Sequence, residues 1–363
     1  MTAGERIPSV PGIITADQVV ATGRSIAAIQ EDDGGVPWPE GHVDAWNHVE
    51  CLMAMSVAGL TAEARAGYDW LVRYQRADGS WPQKVVRGQA TEPAGESNHA
   101  AYLAVGVWHE LLVTGDEAFA RRMWPVVRRA LDFVVGLQTA RGEIIWQRKA
   151  TGEPAGFALL TGCSSIYQGL RCGVLLGEHL GERQPDWELA AGQLGHVIAA
   201  HPEAFADKSR FSMDWYYPVL GGAVRGAQAR ARLAERWDTF VVPGLGVRCV
   251  SDQPWVTAAE SCELVLALDA LGDAERAHAV FRDLQHMRHE DGSYWTGWQF
   301  VNRNWFPREQ SAYTAAAVVL AADALSGATP AAALFRDAGR YTQPVTDPAT
   351  CGCSATPSTP SRT

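Results

Sequence analysis

Apolar residues recur at three- and four-residue steps through most of the chain, in Ala/Leu-rich segments separated by Gly, Pro or Asp-Gly breaks. That period marks amphipathic helices. The pattern predicts helices over 16–30, 44–59, 62–76, 97–113, 116–138, 163–180, 186–200, 213–234, 235–241, 257–271, 273–288 and 308–325. Two-residue alternation is confined to short pieces near 239–242 and 246–250, so no sheet larger than a hairpin is expected.

Several helix ends share a signature: a Gln, a Gly-containing turn, then a Trp. The instances are Gln30…Gly35…Trp38, Gln75…Gly79…Trp81, Gln138…Gly142…Trp146 and Gln285…Gly292…Trp295. Gly can end a helix in the left-handed conformation. The Gln side chain can bond the backbone groups freed at that turn, and the Trp can cover it. Repetition on this scale marks stacked helical hairpins. Twelve helices make six hairpins, and closing them on themselves gives an all-α (α/α)6 toroid with an outer and an inner ring. The expected organisation is a flexible N-terminus over 1–14, one toroid domain over 15–326 and an extension over 327–341. A disordered Pro/Ser/Thr tail is expected over 342–363.

In such a toroid the inner helices all start at one mouth, and the second helix of each pair opens with polar and aromatic residues. These starts carry Asp44, Trp46, His48 and Glu50; Asn98 and His99; Ser165 and Tyr167; Asp214, Trp215 and Tyr216; Trp255, Glu260 and Glu263; Trp305, Arg308 and Glu309. Trp295 of the last repeat lies nearby in sequence. The outer helices open with blander residues, such as Thr61-Ala-Glu-Ala. Capping explains part of this, since Asp, Ser and Thr are preferred at helix starts and Thr257-x-x-Glu260 has the form of a capping box. Glu50 and Glu263 lie too deep for capping and are expected to face the central cavity. Asp44, Glu50, Asp214, Glu260, Glu263 and Glu309 are the candidate catalytic carboxylates, and the remaining residues named are candidate substrate contacts. Asp214, in the positive field of a helix start, is expected to have a lowered pKa and to suit a base. His48 and His99 could equally be hydrogen-bonded structural residues.

Composition narrows the partners. The 363 residues carry 31 Lys+Arg against 41 Asp+Glu, a formal charge of −10, which argues against nucleic acid or an anionic membrane surface. Trp, at 14, outnumbers Phe and Tyr, and suits stacking on sugar rings or isoprenoid chains. No export signal and no run of apolar residues long enough to span a bilayer is evident, so a cytoplasmic protein with reduced cysteines is expected. Cys351 and Cys353 lack a second ligand pair at zinc spacing, and neither metal nor cofactor is expected.

Two toroid superfamilies are similar. The segment Ala66-Gly-Tyr68-Asp-Trp-Leu71…Gln75…Gly79-Ser-Trp81 resembles the Gln-Trp repeats of squalene cyclases and protein prenyltransferases. The stretches Gly106-Val-Trp108…Gly115-Asp116…Trp124-Pro125…Asp132-Phe and Glu263…Gly272-Asp…Phe281 resemble six-hairpin glycosidases of the glucoamylase type. The first resemblance implies an isoprenoid substrate. It also implies acidic or zinc-binding motifs, and the sequence around Met213-Asp214-Trp215-Tyr216 departs from these by carrying a single Asp. The second implies hydrolysis of an oligosaccharide by a carboxylate acid/base pair, in which Asp44 or Glu50 would face Asp214, Glu260 or Glu309. The carboxylate-rich mouth favours the carbohydrate-active hydrolase. A prenyltransferase or terpene-cyclase-like enzyme, and a non-catalytic glycan- or lipid-binding toroid, remain the alternatives.

Overall fold

The structure, a computed structural model, describes residues 7–337. Its helices are α1 (Ala16–Ala27), α2 (Ala45–Val57), α3 (Thr61–Tyr74), α4 (Ser97–Thr114), α5 (Glu117–Val135), α6 (Leu160–Leu180), α7 (Pro185–Ala200), α8 (Ser212–Leu220), α9 (Gly226–Glu235), α10 (Trp237–Phe240), α11 (Ala258–Ala270), α12 (Ala274–Asp283), α13 (Ala312–Ser326) and α14 (Leu334–Asp337). Six of them pack in chain order: α2 on α4, α4 on α6, α6 on α8, α8 on α11 and α11 on α13, and α13 returns to α2. The others pack outside this cycle, α3 on α2, α5 on α4, α7 on α6, α9 on α8, α12 on α11, and α1 on both α13 and α2. Burial follows from sequence. Inner helices such as α13 (AYTAAAVVLAADALS) are apolar around nearly their whole circumference, whereas outer helices such as α5 keep one apolar stripe.

The Gln-Gly turns form the seams between hairpins. Gln30 Nε2 donates to Gly34 O at 2.8 Å and to Glu63 O of α3 at 3.0 Å. Gln75 Nε2 likewise bonds Gly79 O and Val126 O of α5, and Gln138 Nε2 bonds Gly142 O and Ala190 O of α7. Each amide therefore closes its own turn and clamps it to the next outer helix. Gln285 departs from this: it donates to Phe281 O and accepts from the Tyr294 hydroxyl. At that seam Thr22 of α1 instead donates to Gly292 O at 2.9 Å, joining the last turn to the first helix.

Two differences from the sequence pattern have clear causes. The segment expected as one helix over 213–234 is α8 and α9, broken where Gly222 adopts φ +94° after Gly221. The second of these, α9, packs back on α8. The sheet is also larger than a hairpin. Besides the pairs β1 (Lys84–Val86) with β2 (Gln89–Glu92) and β3 (Gly95–Glu96) with β4 (Gln147–Arg148), five strands form one antiparallel sheet in chain order. These are β5 (Val241–Val242), β6 (Gly246–Arg248), β7 (Trp255–Thr257), β8 (Gly297–Gln299) and β9 (Asn304–Trp305). At two or three residues each they are too short to show a two-residue period. At the N-terminus Val10 and Ile14 are buried in the core. Positions 1–6 and 338–363, with Cys351, Cys353 and the expected tail, lie outside the described residues. Among the described residues no helix is long and apolar enough to cross a membrane.

Candidate functional site

The starts of the inner helices are tied to one another. His99 Nε2 on α4 lies 3.9 Å from Asp44 Oδ1 at the start of α2, and Thr161 on α6 donates to Asp214 Oδ1 on α8 at 2.6 Å. The Ala258 amide opening α11 donates to Thr296 O, and the Thr296 amide donates to Glu309 O ahead of α13.

Asp44 caps α2 by accepting from the Asn47 amide at 2.9 Å. Its Oδ2 accepts from the Trp38 indole at 2.6 Å and the Asn47 carboxamide at 2.7 Å. Burial opposes its charge, but His99 and these three donors outweigh burial and hold the carboxyl below its usual value. The donors fill three of four lone-pair positions, leaving one on Oδ1.

Glu50 lies one helical turn beyond Trp46 on the same face of α2. It is buried and accepts from the Tyr102 hydroxyl at 2.8 Å. Burial and the neighbouring charge of Glu263 raise its pKa well above the ordinary value. Glu263 on α11 is held by three phenols. Tyr216 donates to Oε2, and Tyr217 and Tyr313 donate to Oε1 at 2.6 and 2.7 Å. Burial and the charge of Glu260 push its carboxyl up to about 7, against the pull of these three donors. Around this floor stand aromatic rings. Trp46 lies 5.8 Å from Tyr102 and 6.3 Å from both Tyr217 and Tyr313, and Trp38 lies 6.0 Å from Tyr313.

Glu260 is half-buried in the first turn of α11. The capping box suggested by its spacing does not form, because Thr257 makes no side-chain cap bond. Capping is thus removed as the reason for a carboxylate at that position.

Several other residues named from sequence point elsewhere. His48 is sandwiched between α2 and α3: its Nδ1 accepts from the Val36 amide and its Nε2 lies 3.0 Å from Gly67 O. Burial lowers its pKa to about 4 and keeps it neutral. Tyr167 lies against Gly195 of α7. Trp215 stacks on Phe240 and donates to Arg232 O, facing the outer helices. Asp214 occupies a rim groove with Leu160, Phe205 and Arg232, and there burial raises its pKa where the helix field was expected to lower it. Glu309 is half-buried, 3.5 Å from the Thr296 hydroxyl, and Arg308 is exposed. Trp295 and Trp305 stack at 5.2 Å beside the five-stranded sheet, and Trp255 packs edge-on to Phe306. Asn98, His99, Ser165 and Tyr216 are buried in the inner ring.

Trp38, Glu96, Tyr102, Tyr217 and Tyr313 are not among the candidate site residues chosen from sequence. Glu96 accepts from the Gln83 carboxamide and the Trp146 indole and lies 3.4 Å from His99. Tyr102 and Tyr217 did offer a signal, as aromatic residues within the first two turns of inner helices. Tyr313 sits in a run of Ala and Val that looks like plain core.

No family model matches the chain. Over 333 residues, covering 92% of each chain, the sequence is 54% identical to the MMP endo-(1,4)-3-O-methyl-alpha-D-mannosidase of Mycolicibacterium hassiacum. Among solved structures, a glycosidase in complex with glucose matches with a TM-score of 0.68 at 14% identity, over 86% of this chain and 96% of its own. A D-mannose isomerase matches with a TM-score of 0.62 at 11% identity, over 86% and 98%. These two show a shared fold. The resemblance to squalene cyclases and prenyltransferases gains no support here. The Gln-Gly turns that carry it serve the seams between hairpins, a role that does not depend on the reaction catalysed.

Proposed function

We propose, from the premise that this chain belongs to the glycoside hydrolase family of the MMP endo-(1,4)-3-O-methyl-alpha-D-mannosidase, that it cleaves internal α-(1,4) bonds between 3-O-methylmannose units. The reaction takes place at the mouth of an (α/α)6 toroid, the form in which we read the helix cycle. The observation that carries this is the identity of 54% over nearly the full length of both chains. The chemistry of the mouth agrees with it. A 3-O-methyl group removes a hydroxyl donor and adds apolar surface, and Trp38, Trp46, Tyr217 and Tyr313 offer ring faces and edges to such a sugar.

Glycoside hydrolysis needs one carboxyl to protonate the departing oxygen and a second to activate water or attack the sugar. We assign these roles to Glu260 and Asp44. Asp44 is held ionised and keeps one free lone pair, which suits the base. Of the two carboxyls on α11, Glu263 has three of its lone pairs filled by phenols, whereas Glu260 is half-exposed at the helix start. Glu260 is therefore the one able to reach a glycosidic oxygen. Glu50 and Glu263 form the buried floor beneath the pair.

The test is incubation of the purified protein with an α-(1,4)-linked 3-O-methylmannose oligosaccharide and with its unmethylated counterpart, products being read by mass spectrometry. Internal fragments from the methylated chain, formed faster than from the plain one, are expected. Stepwise release of single sugars only, or no cleavage, overturns the reading.

A further inference from the structure

A second wall of the lumen lies on α4 and α6, which pack against each other. On α6, Thr161, Ser165, Gln168 and Cys172 follow steps of four, three and four, so they share one face. Neighbouring faces of the same helix are already occupied. Gly169 faces the Ala101 backbone of α4, Tyr167 faces Gly195 of α7, and Ser164 lies against Gly221 at the end of α8. The remaining face turns inward. Thr161 reaches Asp214 across the rim at 2.6 Å. Asn98 stands beside this face, its Cβ next to Gly162.

Three polar atoms on this wall have no hydrogen-bond partner among the described residues: Asn98 Oδ1, Ser165 Oγ and Gln168 Nε2. Their residues are 8%, 1% and 2% exposed. A buried polar group without a partner is costly, and one carboxamide oxygen, one hydroxyl and one amide N–H left unmatched on one wall indicate a missing ligand. The set consists of one acceptor, one donor and one group that is both, with no charge. That fits sugar hydroxyls, each of which both donates and accepts.

We propose that Asn98, Ser165 and Gln168 form a hexose subsite that hydrogen-bonds the free hydroxyls of one sugar unit. Its methyl ether, which cannot donate to Asn98 Oδ1, turns away from this wall toward the aromatic rings. The inference rests on the hydrolase reading above and extends it to how one sugar unit is oriented.

Gln168→Met tests it, because Met keeps the length and removes the amide. The free protein loses an unsatisfied group, so its Tm holds or rises. The sugar loses a hydrogen bond, so binding weakens by about tenfold, the equivalent of one such bond. Calorimetric titration uses two probes, an α-(1,4)-linked 3-O-methylmannose tetrasaccharide and maltotetraose, on wild type and variant that both carry Glu260→Gln, so that the methylated probe is bound and not cleaved. Weaker binding with an unchanged or higher Tm supports the subsite. A lower Tm with unchanged affinity shows a purely structural amide and overturns it. Wild type that binds only maltotetraose overturns the substrate reading, while the ratio of variant to wild type on that sugar still decides the subsite. Binding of neither probe overturns both.

Discussion

At the residue scale, the site works by giving chemically identical carboxyls different surroundings. Asp44 has three donors and stays charged; Glu263 also has three donors, yet deep burial and the charge of Glu260 leave its pKa near 7. Asp44→Asn keeps the helix cap, since Asn caps as well as Asp. We expect its Tm within a few degrees of wild type and turnover lowered by at least about 100-fold, the usual scale for losing a general base. Glu260→Gln should lose similar activity on the natural linkage. It should recover much of it on a glycosyl fluoride of the same oligosaccharide, whose leaving group needs little protonation, whereas Asp44→Asn should not. Equal losses on both substrates would reverse or remove the assignment. Asp214→Asn, in its rim groove, is expected to keep turnover. Glu263 also sets a pH dependence of stability. Its folded pKa lies above the ordinary 4.5, so its neutral form favours the fold. That contribution is full below about pH 4.5 and is lost as pH rises through about 7. Glu263→Gln cannot ionise, so its Tm relative to wild type should increase between pH 5 and pH 8. A gap that does not change with pH would show that Glu263 ionises without cost.

At the scale of elements, the seams depend on turns that no side chain can enter. Gly79 has φ +92°, and a Cβ there would sit 1.9 Å from the Arg129 carbonyl oxygen of α5. Gly115 has φ +67° and open space around it. Gly115→Ala should cost about 1–2 kcal/mol, the strain of a left-handed residue. Gly79→Ala should exceed about 3 kcal/mol, because backbone collision adds to strain. Denaturant midpoints for the two variants check this, and equal costs would mean that the seam yields easily. The element scale was well legible from sequence, because helix period and turn chemistry are local. The exceptions are local too: the break at Gly221-Gly222 lies inside a run of helix formers, and strands of two or three residues have no period to read.

For the whole molecule, closure is a single repeated contact. Gly34 lies against Ala66 of α3, Gly79 against Arg129 of α5, Gly142 against Gln193 of α7 and Gly292 against Ala21 of α1. The last contact joins the end of the chain to its beginning and is reinforced by Thr22. Thr22→Val leaves the Gly292 carbonyl without that partner and should cost about 1–3 kcal/mol. Hydrogen exchange should rise most in α1, α12 and α13, which meet at this seam, and least in α4 and α6. A uniform rise across the cycle would show that the ring opens only as one unit.

By itself the sequence determined most of the helices, the turns that join the outer ones and the polar character of one end of the inner ring. Each of these depends on residues three to five positions apart, and the physics of a helix or a turn acts over that range. It also pointed to Glu50 and Glu263 as carboxylates too deep for capping. Only the tertiary structure decided which groups meet. Glu263 takes its three phenols from residues 47, 46 and 50 positions away, and Glu50 meets Tyr102 across 52. Nothing near Asp214 or Trp215 in sequence distinguishes a residue facing the lumen from one facing an outer helix. A rotation of about 100° per residue separates the two faces, and the rotation of each inner helix is fixed only when its neighbours and the outer ring pack against it.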